Sequence, residues 1–163
     1  MALYFWLVTA GIFILGGLTF RKLRLHFAGV RRTLMISKSI QKIIIKQLHN
    51  EIKDIELIVL FGSASNGNYI QYKSDIDIAF LSSSTVSNLQ CWETQEKLAS
   101  LLNSDIDLVN LHSSDDVFRF EITSKGKNLF IKPSSKIEQF LDSIYINYIQ
   151  LNEDRAEVMQ AFQ

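Results

Sequence analysis

Residues 55–61, IELIVLF, hold one charged side chain in seven, and a run of that kind cannot serve as a surface strand. A strand with one wet face alternates apolar and polar residues; a continuous run of branched apolar residues needs cover on both sides. That requirement selects a layered α/β architecture, and 163 residues are enough for one domain with such a core. The flanking sequence supplies the cover. From Ser37, Ile40, Ile43, Ile44 and Leu48 recur at helical spacing, opposite Lys42, Lys46 and Gln47. Two further strands are expected, DIDIAFL at 75–81 and DIDLVNL at 105–111, separated by a helix with a stripe of Leu89, Trp92, Leu98, Leu101 and Leu102. Ser113 or Ser114, with Asp115 and Asp116, should cap a short helix over VFRFEITSK that stops at Gly126. A last short strand occupies 128–132. After Pro133, Ser135 and Glu138 form a capping box for a long helix, whose stripe runs Ile137, Phe140, Leu141, Ile144, Tyr148, Leu151, Val158 and Phe162. The expected fold is α/β (α+β), a small mixed sheet flanked by helices, preceded by an apolar amino-terminal helix.

That amino-terminal stretch stands apart. Residues 1–20 are uncharged and apolar, about the length a helix needs to cross roughly 30 Å of hydrocarbon. Arg21, Lys22, Arg24, Arg31 and Arg32 follow, so residues 1–34 carry +5 and the rest of the chain −5. Two readings stand. In one, 1–34 anchor a cytoplasmic domain to a membrane, with the amino terminus outside. In the other, the natural start is Met35 and the preceding residues come from a start set too far upstream. The second is preferred, because 35–163 already reads as a complete domain. An acidic body without a Lys/Arg stripe argues against nucleic acid as a partner. The single cysteine, Cys91, excludes an internal disulfide and suits a reducing compartment.

The chemistry gathers where the first two strands meet the loop between them. Gly62 and Ser63 close the first strand, and Asn66, Gly67 and Asn68 mark a turn-rich loop to Ser74. Asp75 and Asp77 open the second strand on one face, because side chains alternate along a strand. Two neighbouring carboxylates repel, so a hard cation, magnesium above all, is the natural occupant between them. The Gly-Ser turn offers backbone N–H groups and a hydroxyl to a triphosphate. A second ion would need a third carboxylate. Asp107 is the candidate, with Asp105 on the same face as its competitor.

Gly62-Ser63, Gly67, Ser74-Asp75-Ile76-Asp77 and Ile106-Asp107-Leu108 together resemble the signature of the polymerase-beta-type nucleotidyltransferase superfamily. From Met35 onward the chain is similar to the minimal nucleotidyltransferases, the MntA-type antitoxins among them, which are encoded beside a HEPN-domain toxin. The resemblance implies magnesium-dependent transfer of AMP from ATP to a hydroxyl of that toxin, a tyrosine in the antitoxin case. It implies Gly62, Ser63, Gly67 and Ser74 as nucleotide contacts, and Asp75, Asp77 and Asp107 as catalytic metal ligands. A domain of this size would receive its acceptor in trans. Two other functions compete: an antitoxin that works by stable binding alone, and a small-molecule transferase of the aminoglycoside type. The chain departs from the pattern twice. Eleven residues separate Ser63 from Asp75, one more than the family's usual spacing, and Ala64 and Ser65 stand where a basic residue often follows the serine. Arg119 and Lys125 are basic residues that could face a nucleotide or simply solvate a helix. The three histidines lack partners at ligand spacing. Tyr69 and Tyr72 are read as packing residues.

Overall fold

A computed structural model describes residues 36–67, 69 and 74–162, all within the compact unit Thr33–Gln163. The expectations for residues 1–34, and those for Asn68 and Tyr72, lie outside the described residues. No helix among the described residues is long and apolar enough to cross a membrane.

The elements follow the hydrophobic pattern. Helix α1 is Lys38–Glu51, capped by the Ser37 hydroxyl, which accepts from the Ile40 N–H at 3.3 Å. Strand β1 is Ile55–Phe61, helix α2 the short Gly62–Ser65, and strand β2 Ile76–Ser82. Helix α3 is Asn88–Leu102 and strand β3 Ile106–Asn110, followed by a 3₁₀ turn over Leu111–Ser113. Helix α4 is Asp116–Lys125, strand β4 Lys127–Ile131, and helix α5 Ser135–Ala161.

The sheet order is β3-β2-β1-β4. Strand β1 pairs antiparallel with β2 and β4, whereas β2 and β3 run parallel, and α3 supplies the crossover that a parallel pair needs. Strand β1 is covered on both faces. Ile58 and Leu60 join α1, α3 and Ile76, Ile78 and Phe80 in one core, and Leu57 and Val59 join Ala79, Leu81, Ile122 and Ile137 in the other. Tyr69 packs in the first core.

Four local expectations change. Helix α3 turns Leu89 and Trp92 outward, 63% and 58% exposed, and buries Thr94 and Leu98 with Cys91, Ala99 and Leu102 against the sheet. The cap of α4 is Asp115, whose carboxylate accepts from the Phe118 N–H at 2.8 Å. The cap of α5 is Ser134, one residue before the expected Ser135. The α5 stripe is packed only in its first half: Ile137 and Ile144 are buried, while Val158 and Phe162 lie open.

Gly126 ends α4 for a reason other than the left-handed turn that usually calls for glycine. Its backbone is extended (φ −74°, ψ 165°). A Cβ there would collide with Val59 Cγ1 and the Ile122 carbonyl and stand 3.1 Å from the Leu60 carbonyl, so glycine lets the chain pass against β1. Gly126→Ala is therefore expected to cost about 1–3 kcal/mol by overpacking. Urea unfolding at an unchanged m-value measures it.

Arg119 is used inside the fold. It donates from Nε to the Leu111 carbonyl (2.7 Å) and from Nη2 to the His112 carbonyl (2.8 Å), and it pairs with Asp116 at 3.0 Å. These bonds tie α4 to the 3₁₀ turn after β3. A fork of fixed donors suits that task better than a lysine would.

Candidate active site

Parallel pairing of β2 with β3 sets Asp77 directly opposite Asp107. Adjacent strands lie about 4.8 Å apart, so the two carboxylates start from neighbouring backbone positions on one face. Asp75, one residue before β2, projects to the same side by the two-residue alternation. That face is the one carrying Ala79 and Val109, packed by α4 and α5. Asp105 precedes β3, and its carbonyl accepts from the Ile76 N–H at 2.9 Å, which closes the ladder just below the carboxylates.

On the other side of β2, Phe61 pairs with Asp77, and the chain then turns at Gly62 with φ +62°. Gly62 lies hard against the Asp77 side chain: a Cβ would collide with Oδ2 and stand 2.8 Å from Cγ. Two properties of glycine are used here, the positive φ and the absent side chain. Phe61 gives α2 no side-chain cap, and Ser65 donates its hydroxyl to the Gly62 carbonyl at 2.9 Å. Ser63 is half-buried and Ala64 buried beneath the turn. Gly67 also has positive φ, +80°. Ser74 stands half-buried before Asp75.

The charges at this end act on one another. Burial raises the pKa of Asp77 above the usual carboxylate range, Asp107 and Asp75 raise it further, and only its own backbone hydrogen bond pulls it down. The Cys91 thiol is likewise pushed up by burial and then by Asp107. Cys91 and Gln95 are features the sequence pattern does not disclose. From α3 the Cys91 thiol donates to the Leu108 carbonyl at 3.4 Å, and Gln95 Oε1 accepts from the Leu108 N–H at 3.1 Å. They clamp β3 one residue from Asp107, and their i, i+4 spacing on α3 is the signal that could have pointed to them.

Would these residues suit a divalent cation? Among the described residues, no three acidic, histidine or cysteine side chains stand close enough together to cage an ion as they are. Mutual repulsion among three carboxylates opposes such convergence. The donor set is nevertheless all hard oxygen, and its backbone positions are adjacent, which is the chemistry magnesium takes. The residues fit the ion by chemistry and by placement.

Beside the turn, on the carboxylate face, lies a groove of about 450 Å³ between α2 and α4. Phe61 and Phe118, edge to face at 5.8 Å, form its apolar wall with Ile122, and Gly62, Ser65, Glu121 and Lys125 line it as well.

Known proteins resemble this chain along the same stretch. The family described as "Polymerase beta, Nucleotidyltransferase" matches residues 41–135. Protein adenylyltransferase MntA of Shewanella oneidensis is 46% identical over 87 residues, which are 53% of this chain and 62% of that protein, less than two thirds of its length. Among solved structures, a chain of a toxin-antitoxin crystallised with AMP-PNP superposes with a TM-score of 0.67 at 37% identity, over 74% of this chain and 96% of that one. A second match comes from the complex of a tri-AMPylated Shewanella oneidensis HEPN toxin with an MNT antitoxin, at TM-score 0.63 and 35% identity, covering 76% of this chain and 96% of that one.

Proposed function

The chain belongs to the polymerase beta nucleotidyltransferase family, and from that premise we propose that it is an adenylyltransferase that moves AMP from ATP to a tyrosine of a HEPN-type toxin. It acts in the cytoplasm as the antitoxin of that protein. The observation that carries the reading is the meeting of Asp77 and Asp107 at one register level with the Gly62 turn pressed against Asp77. The likeness to MntA and to the partner of an AMPylated HEPN toxin supports both the nucleotide and the acceptor.

In this reading Gly62, Ser63, Gly67 and Ser74 hold the triphosphate through backbone N–H groups and hydroxyls. Asp75, Asp77 and Asp107 would hold magnesium, two ions in the full site, which when bound neutralises the phosphates and acidifies the attacking hydroxyl. Asp107, exposed on the edge strand, takes the hydroxyl proton. A bond forms between the tyrosine oxygen and the α-phosphorus as the bond to the bridging oxygen breaks, and pyrophosphate leaves with the electron pair.

The test is incubation of the protein with magnesium, ATP labelled in the α-phosphate, and the HEPN-type product of a neighbouring reading frame. Label is expected on tyrosine, with one pyrophosphate released per AMP transferred. A stable complex that silences the toxin with no label transferred would sink the catalytic reading.

A further inference from the structure

The turn that faces the phosphates carries no positive charge: residues 62–67 read Gly-Ser-Ala-Ser-Asn-Gly. The adjoining carboxylates add only negative charge, and a nucleoside triphosphate brings roughly four negative charges more. Magnesium would balance part of this near the carboxylates, and among the described residues the α2 turn offers the terminal phosphates no countercharge. Helix α4 brings one. Lys125 lines the same groove as Gly62 and Ser65, and among the described residues that line it Lys125 is the one cation. Gly62 touches both sides, since it borders the groove and lies against Asp77. One residue, Gly62, therefore separates the groove from the Asp77 carboxylate.

Resting on the nucleotidyl-transfer reading, we propose that Lys125 is the phosphate-positioning residue of this chain, supplying from α4 the charge that the α2 turn lacks, with Glu121 as its resting partner. Lys125 Nζ meets Glu121 Oε2 at 2.6 Å, one helical turn back on the same face. The lysine side chain is 71% exposed, and such a surface pair is held only weakly, so a multiply charged phosphate exchanges readily for Glu121. A lysine suits the task, being a compact charge on a flexible stem that can swing from a carboxylate to a phosphate. Glu121 thus competes with the nucleotide for the same ammonium group.

The full-length chain tests this by ATP, tripolyphosphate and AMP binding in titration calorimetry, together with the kinetics of label transfer. Lys125→Met is expected to weaken ATP and tripolyphosphate about tenfold, by loss of a charge-assisted hydrogen bond, and to leave AMP binding and the melting temperature unchanged. The KM for ATP should rise by the same factor while kcat changes little. Glu121→Gln should tighten ATP, and Lys125→Arg should keep most of the affinity. Unchanged ATP and tripolyphosphate binding in Lys125→Met, or an equal loss for AMP, overturns the assignment. Lys125-dependent ATP binding by a wild type that transfers no label would leave the lysine standing and remove the transferase reading. A wild type that binds neither ATP nor tripolyphosphate removes both.

Discussion

Asp77→Asn is expected to leave a folded protein in which AMP transfer has dropped by about a thousandfold, since charge stabilisation by a bound metal is worth several kcal/mol and each 1.36 kcal/mol is tenfold in rate. The same variant should be more stable than the wild type when metal is removed at neutral pH. Burial and the charges of Asp107 and Asp75 raise the Asp77 pKa in the folded state, so folding favours its protonated form. A group raised in this way contributes stability at pH values below its unfolded pKa, about 3.9, and loses it as pH climbs through the folded value. Above its raised folded pKa the wild type thus carries the cost of an ionised, crowded carboxylate, and the amide does not. Thermal melts in EDTA should show the variant melting higher at pH 7, with the gap closing towards pH 4. Magnesium should raise the wild-type melting temperature and leave the variant unmoved, because a ligand stabilises only the state that binds it. A variant that transfers AMP at the wild-type rate would remove Asp77 from the metal site.

Gly62→Ala should disable the same carboxylate from outside. An alanine at φ +62° carries a backbone penalty of about 1–2 kcal/mol. Its methyl group would also occupy the space of Asp77 Oδ2, so the carboxylate must turn away. Displacement of a catalytic group by about 1 Å can cost on the order of a hundredfold, and a loss of at least that size in kcat is expected. Gly67→Ala is the comparison that separates the two effects. Gly67 has a similar positive φ, but among the described residues nothing lies within 4 Å of its Cβ position, and alanine keeps the backbone N–H offered to phosphate, so that variant should lose similar stability and less kcat. Equal losses in kcat from the two variants would mean that backbone strain, and not the contact with Asp77, is what Gly62 guards against.

Much of this site can be read from the residues, because its parts obey short-range rules. The two-residue period alone puts Asp75 and Asp77 on one face, and the continuous apolar run over 55–61 marks β1 to the residue. The α/β class follows from the need to cover that run. What escaped was set by tertiary contact. Of the stripe expected on α3, Leu98 and Leu102 face the core, but Leu89, Trp92 and Leu101 lie open and Cys91 and Thr94 turn inward, because β3 and α1 fix the helix's roll and not its own most apolar residues. The capping-box spacing to Glu138 favours Ser135, yet the helix is capped by Ser134, whose hydroxyl accepts from the Ile137 N–H. The level of Asp107 opposite Asp77 depends on a parallel register that periodicity cannot supply. The role of Gly126 depends on how closely β1 passes it, and the groove at Lys125 exists only once α4 lies beside α2.

The clamp on Leu108 bears on how another protein can approach. Strand β3 ends the sheet, and an edge strand normally offers unpaired N–H and C=O groups to which a visiting chain can add a strand. Here the Leu108 pair on the outer rim is already taken by Gln95 and Cys91. Asn110 further along is engaged too, its carbonyl accepting from the Ser113 and Ser114 hydroxyls at 3.1 and 3.0 Å. The rim from Leu108 to Asn110 is thus closed to β-augmentation. Along this stretch a partner meets helix α3 and the 3₁₀ turn in place of a free ladder, so shape and charge set its register there.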